Sequence, residues 1–468
     1  MAGIGYTLKK LIKEDRYISD FKVNLYTVTI SAGPWLFAVL SITALLILTG
    51  KAAEEDMIIF RAIIVYVYAF SLILSSLFQL IFTRFISDKL YEREYSSLLP
   101  NLMGLMILCG SLNFIVASLY MAFTKVNFFI KVLSVLLFCT VSYQWILMVF
   151  LSTIRDYITT TFIFFLGFFL SFLGAFFLGN YLGLAGYLSG FMAGQIFILI
   201  FLIERLIREF PPGEDKIFDF TFYFRKYPSL LWGAFLYNFG YWLDKIILWW
   251  SFKGTGIADN SFRYNYPYDT ALFLSVLTIV PAMSIFFLQV ETEFYEALRR
   301  YINTILNKGT YEIIEQKRKK LIYLLKVKMM EMVEFQFLVT FVVCLLSSRI
   351  IEFLGFNKTD VTPVFIILLL GSFFQILFLN LIVLSWYLEL LNESLLCVFI
   401  FTLLNGVFTY IQLYYTNLPL GTGYLAAIII TFLILLILFI YRLRELNYLT
   451  FARSNKLEAT PVAMPKFN

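Results

Sequence analysis

A carboxylate and an ammonium stand side by side within an apolar run near the middle of the chain. Residues 236–250 read LYNFGYWLDKIILWW and carry Asp244 and Lys245, with Tyr237, Asn238, Tyr241 and Trp242 just before them. An ionisable side chain at mid-bilayer costs roughly 2.5–3.5 kcal/mol on insertion scales, so such groups face protein or a water-filled cavity. The chemistry open to this set is recognition rather than bond making. A lone carboxylate can accept hydroxyls, hold a cation, or close a gate against a cation such as Arg61. It can also pin two helices as an ion pair. Successive helical residues diverge by about 100°, so Asp244 and Lys245 are expected to point apart, each with its own partner. Tyr237 and Tyr241, four apart, share a face.

Other reactive residue types are sparse. The sequence holds no histidine, which removes imidazole metal ligands, Ser-His-Asp and Cys-His nucleophiles, and histidine proton relays. Cys109, Cys139, Cys344 and Cys397 each fall inside apolar runs without CxxC spacing, as buried free thiols do. No GxxxxGK[ST] phosphate loop occurs. These exclusions predict no cofactor, no metal and no catalytic residue.

Membrane helices must position these residues. Of 468 residues, 60% are apolar and 15% charged, and the mean hydropathy is +0.82. That mix belongs to a polytopic membrane protein rather than a soluble domain. The expected class is all-α, with twelve spans in two six-helix bundles around a central cavity. Spans are predicted at about 23–49, 57–82, 101–123, 129–153, 158–178 and 184–203, then at 229–252, 268–290, 335–354, 363–384, 395–415 and 424–441. Gly33 and Pro34 predict a kink in the first span and Pro281 one in the eighth, both hinge candidates. Residues 54–56 form a short acidic loop, and residues 83–100 and 253–267 polar loops.

Residues 1–22 read as an amphipathic helix on the membrane surface, and 442–468 as a tail. Bundles at 23–203 and 229–441 flank a linker at 204–228. Residues 291–334 set Lys317, Arg318, Lys319 and Lys320 among apolar residues, which suggests amphipathic helices lying on the membrane. Placing both termini and every second loop on one side collects 28 of the 37 Lys and Arg there. The positive-inside rule then puts both termini in the cytoplasm. In that orientation Asp244 lies ~22 Å from Ser229 at ~1.5 Å per residue, toward the outer face. Lys245 is long enough to snorkel to headgroups; Asp244 is not. Trp249 and Trp250 fall where an interfacial aromatic belt belongs.

Four segments carry a family resemblance: MAGIGYTLKKLI at the start, Ser31-Ala32-Gly33-Pro34-Trp35, Tyr237-Asn238 with Trp242-Leu243-Asp244-Lys245, and Val290-Glu291-Thr292-Glu293-Phe294-Tyr295-Glu296. Over most of the chain the sequence resembles the PelG family, inner-membrane transporters of Pel exopolysaccharide systems. The resemblance implies a twelve-helix member of the flippase superfamily that includes polysaccharide exporters, lipid flippases and multidrug antiporters. It implies export of a polysaccharide rich in N-acetylgalactosamine. The partners it implies are a cytoplasmic UDP-sugar glycosyltransferase, a cyclic-di-GMP-binding membrane receptor and a small membrane protein. Three functions stay open: polymer exporter, flippase for a lipid-linked saccharide, and cation-coupled multidrug antiporter with Asp244 as coupling carboxylate. For a saccharide, Tyr237, Tyr241 and Trp242 offer ring faces to apolar sugar C–H surfaces. Glu291, Glu293 and Lys317 to Lys320 are candidates for docking a partner, and otherwise a solvated helix end and a lipid-attracted surface.

Overall fold

The computed structural model describes residues 54–451, apart from 155–156, 212, 214–215, 252–254, 259–260 and 416, together with Phe37, Ser41 and Leu45. The expected surface helix at 1–22, the Gly33-Pro34 kink and residues 452–468 lie outside the described residues. Five long helices make the first bundle: α1 (Glu54–Glu92), α2 (Leu98–Ala122), α3 (Phe128–Ile154), α4 (Tyr157–Leu182) and α5 (Leu184–Glu209). A short α6 (Phe222–Lys226) leads into α7 (Pro228–Trp249), whose first turn takes Pro228 where no N–H is needed. A two-stranded antiparallel hairpin follows, β1 (Thr255–Ala258) and β2 (Phe262–Asn265). Then come α8 (Tyr266–Leu277), α9 (Val280–Gln289), a single π turn (Val290–Phe294) and α10 (Tyr295–Leu306). The chain closes with α11 (Tyr311–Phe353), α12 (Lys358–Tyr387), α13 (Leu391–Tyr415) and α14 (Thr422–Arg444). Among the described residues, ten helical segments are long and apolar enough to cross a membrane. Helix α7 is less apolar, because it carries Asn238, Asp244 and Lys245.

The same pairing of helices occurs twice. In the first half, α2 and α5 each pack on α3, α1 packs on α3, and α4 packs on α5. In the second, α11 and α14 pack on α12, α8 packs on α12, and α13 packs on α14. Helix α7 lies along α13, and its counterpart in the first span meets α4. There the Phe37 and Phe165 rings are 5.5 Å apart and Ser41 Oγ donates to Phe168 O at 3.2 Å. Two hydrophobic cores result, one built mainly from α1–α5 and one from α8–α14. The sequence halves show no repeat, so this two-fold arrangement is visible only in the packing.

Between α4 and α5 the helices approach through small residues, the usual contact surface where lipid supplies no hydrophobic drive. A Cβ built on Gly190 would sit 2.1 Å from Gly174 C, and one on Gly174 would sit 2.8 Å from Gly190 O. Both obstacles are backbone, so the helices must separate to admit a side chain. Gly190→Val is expected to lower the melting temperature of the detergent-solubilised protein, at a cost of roughly 1–3 kcal/mol or more. Gly355→Ala, where a Cβ would meet nothing, although φ is +76°, is the milder comparison. Equal melting of the Gly190 variant and the unchanged protein would refute the close approach.

Four expectations are corrected. Residues 54–56 begin α1 instead of forming a loop, and Asp56 Oδ2 accepts the Leu184 N–H at 3.1 Å. The polar stretch after residue 82 is helical to Glu92, supported by the i,i+4 and i,i+3 pairs Arg84–Asp88 (3.3 Å) and Lys89–Glu92 (3.0 Å). The eighth span is fully broken at Thr278 and Ile279 where a bent but continuous helix is expected, and the break falls just before Pro281, whose missing N–H lies in the first turn of α9. The expected surface helices and ninth span merge into α11, a 43-residue rod. At ~1.5 Å per residue it is ~64 Å long, about twice a bilayer core of ~30 Å. The rod is thus longer than one crossing needs, and its N-terminal half packs with α10 as an arm. Ile314, Leu321 and Leu325 are buried. Arg318 braces the arm: it is bidentate on Glu315 (2.8 and 2.6 Å) and donates to the carbonyls of Leu443 (3.1 Å) and Arg444 (3.0 Å) at the end of α14.

Candidate functional site

Helix α7 separates the two cores and turns a different face to each. Trp242, Ile246 and Trp249 pack with the first core, whereas Leu236, Tyr237, Ile247 and Leu248 pack with the second. Asp244 and Lys245 are buried on the second-bundle side, 1% and 0% exposed. Contrary to the helical-wheel expectation, they pair with each other, Lys245 Nζ lying 3.1 Å from Asp244 Oδ1. The four-carbon lysine side chain folds back toward the preceding turn, where its ammonium also donates to the Tyr241 carbonyl. It lies 3.9 Å from the Tyr241 ring centroid and 4.9 Å from that of Tyr424, within cation–π range. Nor does it snorkel to headgroups. Asn405 Nδ2 on α13 donates to Asp244 Oδ1 at 3.2 Å, and the Tyr268 hydroxyl on α8 donates to Oδ2. Nearby, Gln375 donates to the Tyr237 hydroxyl (2.8 Å) and accepts from that of Tyr424 (3.2 Å). The result is a closed polar cage within the second bundle.

The first bundle holds a neutral counterpart. Gln144 Nε2 donates to the Gln195 carbonyl (3.0 Å), Tyr68 donates to Gln195 Oε1 (3.3 Å), and Gln195 Nε2 donates to Ser171 (3.1 Å). The buried ion pair thus has a neutral network as its first-bundle counterpart.

A second constellation joins the bundles near the start of α1 and the end of α7. Trp249 is buried, not part of an interfacial belt, and its Nε1–H is shared between both Asp269 oxygens at 3.2 Å. Arg61, from the first bundle, interacts electrostatically with Asp269, rather than gating against Asp244. The rings of Tyr66 and Trp249 stack at 4.8 Å and 15°. The hairpin lies over this contact. The Tyr66 hydroxyl donates to Arg263 O (3.1 Å) and accepts from Arg263 N–H (3.3 Å). Tyr120 donates to Ser261 O (3.3 Å), and the Lys125 N–H donates to Ser261 Oγ (2.9 Å). Phe262 is fully buried among first-bundle side chains, with Tyr66 at 5.6 Å. At its base Asn265 returns to the second bundle, its N–H on Asp269 Oδ2 (2.9 Å) and its side chain capping α8. The hairpin is therefore a strap from one bundle to the other. Arg84 lies 23 residues beyond Arg61, ~35 Å along α1. There the bundles meet through a half-exposed pair, Arg84 Nη1 to Glu389 Oε1 at 3.5 Å.

The remaining candidates scatter. Asn238 bonds within its own helix, to Ala234 O at 3.0 Å. Trp242 faces the interbundle contact 6.2 Å from Trp249, and its indole nitrogen is buried with no hydrogen-bond partner. Glu291 is in the π turn, but its side chain is not among those described. Glu293 pairs with Lys328 at 3.6 Å. Lys317 and Lys320 line a small cleft between α10 and α11 with Glu296 and Arg300, and Lys319 is exposed. Arg318 is taken up by the brace described above. Among the described residues no group of three or more His, Cys, Asp and Glu side chains gathers to hold a metal. Sequence reasoning missed Tyr66, Arg263, Tyr268, Asp269 and Tyr424. Only Asp269 carried a signal, as a carboxylate at the head of an apolar span.

The family model "PelG: Putative exopolysaccharide Exporter (EPS-E)" matches residues 1–451. Among solved structures, an outward-facing multidrug resistance MATE family transporter of the MOP superfamily aligns with a TM-score of 0.62 at 13% identity, over 96% of this chain and 100% of that one. A MOP superfamily transporter from Pyrococcus furiosus aligns with a TM-score of 0.57 at 14% identity, over 96% and 99%. An inward-facing MATE family transporter aligns at 0.58 and 13%, over 90% and 95%. At these identities the likeness is one of fold. No curated protein sequence matches significantly.

Proposed function

Because the chain belongs to the PelG family of exopolysaccharide exporters, we propose that it carries a nascent Pel-type polysaccharide, rich in N-acetylgalactosamine, across the cytoplasmic membrane. The chain is a membrane transporter with a MATE-like fold, and the finer reading rests on where its bundles touch. The carrying observation is the pair of interbundle contacts, an aromatic seal under the hairpin and the half-exposed Arg84–Glu389 pair about 35 Å away. Two bundles that close at either end can open alternately around a path between them. With both termini cytoplasmic, the hairpin seal is the outer closure and Arg84–Glu389 the inner one. Trp242, with its unsatisfied indole N–H beside the seal, is the residue best placed to meet a sugar oxygen.

The arm supplies the docking surface. Residues 295–330 hold nine Lys and Arg against three Glu, a net +6 equal to that of the whole chain. This face suits an acidic surface of the UDP-sugar glycosyltransferase. A cyclic-di-GMP-binding receptor and a small membrane protein complete the proposed complex. Deleting the gene should abolish extracellular polymer while leaving intracellular polymerase activity. Lys317→Glu, Lys319→Glu and Lys320→Glu together should cut co-purification of the glycosyltransferase at least tenfold without changing the melting temperature. Unchanged recovery would remove the arm as its dock.

An open apolar groove along α7 and α13 favours a second reading. Leu236, Leu243, Ile247, Leu403 and Val407 line it, with a notch at Gly406, a shape that could take an acyl chain of a lipid-linked saccharide. Facilitated movement of a labelled lipid-linked sugar in proteoliposomes would favour this flippase reading.

A further inference from the structure

We propose that Lys245 is a tethered counter-cation that occupies the place of a mobile ion at Asp244, so the transport cycle takes up no sodium ion or proton at this carboxylate. The inference rests on the transporter reading above, but it concerns this ion site and not the cargo. A carrier driven by a cation gradient needs a membrane carboxylate whose charge is compensated by the ion in one state and exposed to water in another. Here the compensation is covalent. Asp244 Oδ1 has the Lys245 ammonium at 3.1 Å and Asn405 Nδ2 at 3.2 Å, and Oδ2 has the Tyr268 hydroxyl. Three donors and one full positive charge leave no vacant side for a cation, and any arriving ion meets the ammonium first.

The groups facing the pair from each packed element reinforce this. Helix α7 contributes Tyr237 and Tyr241, α8 contributes Tyr268 and Asp269, α13 the neutral Asn405, and α14 Tyr424. The ammonium lies over two of these rings and is capped by the Tyr241 carbonyl. It is held in position, not left to drift toward water. Among the described residues the centre of the first bundle holds a neutral glutamine network, and the Asp269 carboxylate is already engaged by Trp249, the Asn265 N–H and the Arg61 charge. The driving force then falls to the reaction feeding the inner mouth, a glycosyl transfer that consumes an activated sugar and elongates the chain being exported.

The test uses the purified full-length protein in detergent, with melting temperature read against NaCl at constant ionic strength, using choline chloride as balance, and against pH from 8 to 5.5. The unchanged protein should show no sodium dependence, and Lys245→Arg, which keeps the charge, should follow it. In Lys245→Met the bare carboxylate must be neutralised from solution, so melting should rise by about 3 °C or more with sodium or with acid. Asp244→Asn with Lys245→Met should abolish that response. A saturable sodium or acid stabilisation of the unchanged protein, lost in the double variant, would overturn the proposal, even if Lys245→Met does not fold. Because no cargo enters the assay, a wrong polymer assignment would leave its outcome untouched.

Discussion

Joining the strap to the first bundle covalently will stop export, and a reductant will restore it. Lys125 and Ser261 touch through a 2.9 Å hydrogen bond, from the Lys125 backbone N–H to Ser261 Oγ. Cysteines at both positions can form a disulfide, or be bridged through two disulfides by a short bis-methanethiosulfonate where the Cβ geometry disfavours a direct bond. The noncovalent seal is modest. Burying Phe262 contributes about 1.5–3 kcal/mol, and the Tyr66–Trp249 stack about 0.5–1.5 kcal/mol beyond area burial. A difference of a few kcal/mol leaves an open state populated at roughly 0.1–10%, enough for a working cycle. A covalent link removes that state. Export in the cross-linked double-cysteine protein should therefore fall to under a tenth, while each single-cysteine protein exports normally. Quantitative cross-linking with undiminished export would show that the path does not open beneath the hairpin.

Much of the fold is legible in the sequence, because bilayer thickness imposes span length and the apolar runs reveal it. The errors fell where a run changes character without ending. Helix α1 continues through Arg84, Asp88, Lys89 and Glu92, whose charges pair along the helix and so do not end it. Likewise, α11 joins a basic amphipathic half to an apolar half with no capping residue or proline between. The site was half legible. Asp244 and Lys245 declared themselves by charge in an apolar run, but their geometry did not follow from the helical wheel, which places Cβ atoms and ignores a four-carbon side chain. Asp269 resembled an ordinary acidic first turn. Tyr66, Tyr268 and Tyr424 were hidden among 30 tyrosines, because what distinguishes them is a partner on another helix. Residues 253–267 read as a loop, since four-residue strands rich in Gly, Asn and Tyr carry little periodicity.

Asp244→Asn should cost the protein its stability before it costs it a transport step. On sequence alone, the variant tests a pathway charge and should appear at normal level with no secretion. The structure argues otherwise. The amide would leave the Lys245 ammonium fully buried without its adjacent counter-charge, held by neutral acceptors and aromatic faces with the Asp269 carboxylate farther off. Removing one member of a buried ion pair costs about 3–5 kcal/mol, because the other charge is stranded. Steady-state level should fall several-fold and melting by at least ~5 °C. Adding Lys245→Met removes the stranded charge and should recover most of both, a non-additivity expected of directly coupled residues. Secretion should then track protein level across the series. If Asp244→Asn instead accumulates normally, melts normally and secretes nothing, the cage is part of the path and not a clamp within the second bundle. A double variant that is stable yet silent would assign the lost function to the charge pair itself.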